Sequence, residues 1–172
     1  GDLLIVDCEK EVVCVNPSTE ELHAYRARQK QHDLEQEVLK TYRFLPTVTL
    51  NGVKKAVYGN IAKPEDAERI LENGAEGIGL FRTEFYFMGQ ARMPTEDEQA
   101  QMYASVVKAM KGKPVIIRLL DTAGQKELSF LKAGILPRGL LNEPLLKTQI
   151  RAVLRASECG QVKLMIPMVR SA

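Results

Sequence analysis

Four continuous apolar runs separated by helix-like stretches constrain this chain more than any other feature. The runs lie at 55–62 (KAVYGNIA), 77–83 (GIGLFRT), 114–121 (PVIIRLLD) and 162–169 (VKLMIPMV). They do not alternate apolar with polar residues, as a strand wetted on one face would. Continuous runs are the pattern of strands covered on both faces. The stretch 64–73 opens on Pro-Glu-Asp and closes at Asn73-Gly74. The stretch 95–111 follows Pro94, carries Glu96, Asp97 and Glu98 in its first turn and stops at Gly112, and 143–159 stops at Gly160. Proline and acids at the start with glycine at the end are helix punctuation. Strand alternating with helix predicts an α/β fold, a parallel sheet covered by helices.

The first 45 residues have a different texture. Residues 3–15 (LLIVDCEKEVVCV) read as two short strands around the charged turn Glu9-Lys10-Glu11, a hairpin. Ser18 followed three residues later by Glu21 is a capping-box pattern, and it predicts a helix over 19–42. The middle of that helix, 26–33 (RARQKQHD), has almost no apolar face. A helix polar nearly all round bridges domains through solvent. The expected organisation is therefore a hairpin segment 1–17, a helical linker 18–45 and an α/β domain 46–172.

Composition excludes several classes. Of 172 residues, 45% are hydrophobic, and 24 Lys+Arg against 22 Asp+Glu leave a net charge of +2. The apolar content excludes a disordered chain, and the balanced charge supplies no broad basic footprint for nucleic acid. No apolar run approaches the roughly 20 residues that span a bilayer. The start, GDLLIVDCEKEVV, carries acids where a signal peptide carries Lys or Arg. Cys8, Cys14 and Cys159 are odd in number and scattered, so they form neither a disulfide framework nor a metal cluster. A soluble, reducing, cytoplasmic setting is expected.

In parallel α/β folds the working residues lie at the C-terminal ends of the strands. Those positions hold Asn60, then Arg82 and Glu84, then Arg118 and Asp121, and finally Met168 and Arg170. Two successive runs thus each deliver an arginine, whose planar fork suits a phosphate or carboxylate. The competing reading makes each arginine a structural partner of Glu84 or Asp121. The turn 121–124 (DTAG) offers backbone N–H groups of the kind that hold phosphate. His23 and His32 fall on the polar helix, where nothing tunes them for catalysis. The cysteines read as small buried apolar residues, and Met88, Met93, Met102 and Met110 as packing.

Two architectures satisfy this pattern. A doubly wound sheet is one, although no G-x-G-x-x-G turn follows the first strand. A (β/α)8 barrel is the other; it takes about 250 residues, roughly twice the length remaining after Pro46, so four strand–helix units make half a barrel.

The segment 74–88 (GAEGIGLFRTEFYFM), followed by Pro94-Thr95-Glu96 and Glu98-Gln99, resembles the enzyme I family of the bacterial phosphotransferase system, the phosphoenolpyruvate–protein phosphotransferases. The resemblance runs the length of the chain. GDLLIVD and VNPS are similar to the end of that family's swivelling phosphohistidine domain, and 18–45 to its helical connector. From Pro46 through IRLLD, 147–157 (KTQIRAVLRAS) and 165–168 (MIPM), the sequence resembles the first half, four βα units, of a phosphoenolpyruvate-binding TIM-type barrel. The G-x-G-L-x-R-T-E core is shared with pyruvate phosphate dikinase and phosphoenolpyruvate synthase. Phe85, the Pro-Thr-Glu-x-Glu-Gln segment and the IRAVLRAS helix favour enzyme I.

The resemblance implies that Arg82 and Arg118 grip phosphoenolpyruvate, with Asn60, Glu84 and Asp121 in support. It implies Mg2+ on the substrate oxygens, transfer to a histidine and then to a histidine phosphocarrier protein for sugar uptake, and a homodimer. It places the acceptor histidine before Gly1, and the magnesium carboxylates and proton-donating cysteine after Ala172, so the chain is expected to be an inactive interior fragment. After IRLLD the family shows a longer loop and a G-x-R-x-I-R motif. Here 132–139 (KAGILPRG) comes about ten residues early, through a deletion or through residues lost from the loop, and the resemblance implies Arg138 as what remains of that motif. A dikinase or synthase fragment, a nitrogen-regulatory paralogue, and a non-catalytic regulatory relative with a disabled loop are the alternatives.

Overall fold

The computed structural model describes residues 1–88, 90–120 and 143–169. They fall into two units, Gly1–Leu45 and Pro46–Ala172.

In the first unit, β1 (Leu4–Asp7) pairs antiparallel with β2 (Val12–Val15) in the register Leu4↔Val15 to Asp7↔Val12. Glu11, at φ 55°, helps close the turn. The Asp7 carboxylate accepts the Glu9 and Lys10 N–H groups, both at 3.1 Å, and takes Arg28 Nη1 at 2.7 Å. These bonds, the turn amide of Lys10 foremost, hold its carboxyl below the usual range. The long helix α1 (Thr19–Tyr42) begins on the capping box foreseen from the sequence: Ser18 Oγ accepts the Glu21 N–H at 3.2 Å, and the Glu21 carboxylate takes the Ser18 N–H at 2.8 Å. No residue of α1 is buried.

The second unit is a parallel sheet of β3 (Gly59–Ile61), β4 (Ile78–Phe81), β5 (Val115–Arg118) and β6 (Val162–Met165), ordered as in the chain. This is a mixed α/β fold with no reversal of order among the described strands. Helices α2 (Asp66–Glu72), α3 (Glu84–Met88), α4 (Glu96–Ala109) and α5 (Glu143–Ala156) lie between the strands, and a 3-10 turn at Ser157–Cys159 leads into β6. The fourth strand–helix unit shows only its strand among the described residues. Ile78, Phe81 and Ile117 from the strands meet Tyr103, Val107 and Val153 from the helices in one core. The Phe81 and Tyr103 rings cross edge to face at 6.1 Å. Each buried side chain of this size contributes about 2 kcal/mol or more.

Strands are shorter than the apolar runs predict. The run at 55–62 begins in a local loop, where Lys55 N–H bonds Thr47 O and Val48 bridges Lys54, and β3 starts only at Gly59. The last run stops pairing at Met165, before Met168 turns to φ 57°. Two glycines are required by geometry. Gly74 ends α2 at φ 82°, and a Cβ on Gly77 would lie 2.8 Å from the Pro114 carbonyl oxygen.

Candidate anion site at the strand ends

Parallel pairing carries β4 and β5 to the register Phe81↔Ile117. Arg82 and Arg118 are the next residues on each, so the two predicted arginines lie side by side where the ladder ends. The Arg82 N–H reaches back to Ile61 O at 3.0 Å on the neighbouring strand, which fixes its backbone. Its guanidinium lies over the Phe85 ring, 4.7 Å from the centroid.

Glu84, at the start of α3, is 1% exposed. Its Oε1 pairs with Arg118 Nη2, so the structural partnership foreseen for one arginine is real. It does not exhaust the site. Arg82 has no carboxylate partner among the described residues, and Arg82 Nε, Arg118 Nε and Glu84 Oε2 are buried without a hydrogen bond. A buried N–H without an acceptor costs about 1–3 kcal/mol. Two guanidinium groups keeping such N–H groups at neighbouring strand ends, against one carboxylate, leave a cationic locus with unused donors. Guanidinium donors of this kind pair with oxyanions.

The other predicted positions divide. Asn60 is exposed on β3, paired in register with Leu80, and its side chain makes no hydrogen bond among the described residues. Asp121, the 121–124 turn, Arg138 and Arg170 lie outside the described residues. His23 and His32 are exposed on α1, remote in sequence from the arginines. No group of three His, Cys, Asp or Glu able to hold a metal occurs among the described residues, and Glu84 is committed to Arg118. These residues therefore do not fit Mg2+.

Sequence reasoning missed what supports the arginines. Thr83 is fully buried and donates its hydroxyl to Arg118 O at 2.7 Å. Gln149 of α5, also fully buried, accepts the Leu120 N–H at 2.8 Å and donates to Thr83 Oγ1 at 3.2 Å and Tyr103 OH at 3.0 Å. Burial pushes the Tyr103 hydroxyl pKa well up, keeping it neutral. The signal was available: the buried positions of α5 are Leu145, Gln149, Ala152, Val153 and Ala156, so a glutamine occupies the core-facing stripe.

Two arginines at adjacent C-terminal strand ends of a parallel four-stranded sheet characterise this α/β domain. Residues 36–172 match the family described as PEP-utilising enzyme, PEP-binding domain, and the chain belongs to that family. It is 41% identical over 182 residues to a phosphoenolpyruvate-protein phosphotransferase of Staphylococcus aureus (strain MSSA476), covering 98% of this chain and 31% of the relative. Proteins of the same name from Geobacillus stearothermophilus and Staphylococcus epidermidis are 40% and 39% identical over the same shares. The chain spans about a third of the length of these curated relatives. Among the described residues no helix is long and apolar enough to cross a membrane.

Proposed function

We propose that this chain is the domain junction and first half of the substrate barrel of a phosphoenolpyruvate–protein phosphotransferase. Segment 1–17 ends the phosphohistidine domain, 18–45 is the linker, and 46–172 supplies the first strands of the barrel. Arg82 and Arg118 hold the phosphate and carboxylate of phosphoenolpyruvate, with Glu84, Asn60 and Asp121 in support and Arg138 as a further phosphate contact. The observation that carries this reading is the pair of guanidinium groups at adjacent strand ends, each with a buried N–H that has no acceptor.

The two arginines orient the substrate and spread the charge on its equatorial oxygens as the phosphoryl group leaves through a loose transition state. Phe85 presses on one face of the Arg82 guanidinium, and Glu84 fixes Arg118. Both cations are thus set before substrate arrives. The acceptor histidine, the ligands of Mg2+ and the carrier protein that takes the phosphate lie outside these residues in this reading. The parent protein would be a cytoplasmic homodimer feeding sugar uptake.

Incubation of the full-length polypeptide with radiolabelled phosphoenolpyruvate and Mg2+ tests it. The expected result is an acid-labile, base-stable label. Arg82→Ala should cut the rate of labelling by about a hundredfold or more, and Lys108→Ala, on the exposed face of α4, should leave it unchanged. No label from a folded wild type, or equal small losses in both variants, would turn the assignment toward a non-catalytic relative.

A further inference from the structure

The geometry points to Gln149 as a positioning residue that sets the spacing of Arg82 and Arg118; this rests on the anion-site reading above. The β4–β5 register ends at Phe81↔Ile117, so no paired position of that ladder lies beyond the residues that precede the two arginines. A side-chain brace takes over. Gln149 Nε2 donates to Thr83 Oγ1 at 3.2 Å, Thr83 donates its own hydroxyl proton to Arg118 O at 2.7 Å, and Gln149 Oε1 takes the Leu120 N–H at 2.8 Å. The residue after Arg82, the carbonyl of Arg118 and the amide two residues beyond it are therefore tied to one amide group. The second Nε2 proton goes to Tyr103 OH on α4 at 3.0 Å, which anchors that amide in the core.

The chemistry requires glutamine. The group must accept once and donate twice at 0% exposure, with the Thr83 hydroxyl already committed to a carbonyl. Glutamate has no N–H to give, and leucine would leave the Leu120 N–H without its partner. Neither strand end can drift without breaking a buried bond. The bridge touches no substrate and acts only through the placement of the two guanidinium groups.

The test compares Gln149→Leu with Val153→Ala, a core truncation one turn further along α5, in the full-length protein. Thermal midpoints and phosphoenolpyruvate affinity are measured for both. Gln149→Leu should weaken the affinity about tenfold or more, while Val153→Ala, at an equal or larger loss of midpoint, stays within about twofold of wild type. Thr83→Val should repeat the affinity loss and Thr83→Ser restore it, which a general packing defect would not do. Wild-type affinity in Gln149→Leu, or an equal loss in Val153→Ala, overturns the brace. Should Gln149→Leu not fold, Thr83→Val against Thr83→Ser decides on the same criterion. If the wild type binds no phosphoenolpyruvate, the substrate reading fails by itself. The same variants are then compared for inorganic phosphate, which needs only the paired arginines. Absence of phosphate binding in the wild type overturns the brace as well.

Discussion

Glu84 is a buried charge whose placement depends on one partner. Its carboxylate is 1% exposed and pairs with Arg118, whose side chain is 21% exposed. Removing one partner of such a pair leaves the other charge stranded, which costs more than the pair contributes. Glu84→Leu should therefore destabilise the protein by about 3 kcal/mol, read from the midpoint of chemical unfolding. Adding Arg118→Leu should recover much of that loss, because no buried charge is left unpaired. A double variant no more stable than Glu84→Leu alone would show that the pair contributes net stability. The two arginines were legible in the sequence as charges inside apolar runs, which have few other reasons to be there, and Glu84 as the acid directly after one of those runs. Thr83 and Gln149 were not, since their roles are set by partners 35 and 29 residues away in the chain.

Helix ends show where local sequence is enough. The α4 start is written in Pro94-Thr95-Glu96-Asp97-Glu98: Thr95 Oγ1 accepts the Glu98 N–H at 3.3 Å, and the Glu98 carboxylate takes the Thr95 N–H at 2.8 Å. Arg92 closes on the same carboxylate with two bonds, at 2.8 and 2.5 Å. Arg92 first, then the Thr95 amide, hold the Glu98 carboxyl at about 2, against an ordinary value of 4.5. A carboxyl depressed on folding stabilises the fold above its unfolded pKa and loses that contribution as pH falls toward the folded value. Between about pH 5 and about pH 2 the thermal midpoint of the wild type should fall more steeply than that of Glu98→Gln, which keeps the capping box but not the charge. Parallel slopes would remove Glu98 from the acid response. Strand ends were less legible than helix ends. The run 114–121 stays apolar past Arg118, where ladder pairing with β6 gives way to the Gln149 side chain, and no local pattern marks that exchange. Helix α3 (Glu84–Met88), five residues long, is too short to display a period.

The two units differ most in what they bury. Between Gly1 and Leu45 only Asp7 is buried, whereas the second unit holds the whole apolar core. Helix α1 keeps its backbone bonds in water, supported by its caps and by local pairs such as Glu37 with Lys40. Surface pairs of that kind contribute about 0.5 kcal/mol or less. Opening α1 therefore exposes little apolar surface, and what opposes it is its caps, its local pairs and the Arg28 bonds to Asp7 and Glu9. Opening β4 or β5 uncovers Ile78, Phe81, Val115 and Ile117, each at most 1% exposed, and breaks pairing on both sides of the strand. That contrast is what the proposed linker and substrate-holding roles require. In hydrogen–deuterium exchange on the 172-residue chain, peptides from 26–42 should exchange while those from 78–81 and 115–118 remain protected, by about a hundredfold or more in rate. The ratio should shrink in Phe81→Ala, where the sheet loses its largest strand side chain, and leave exchange in α1 as it was. Protection of α1 equal to that of β4 in the wild type would mean that the helix is held by something other than its caps and surface pairs, and the linker assignment of 18–45 would fall with it.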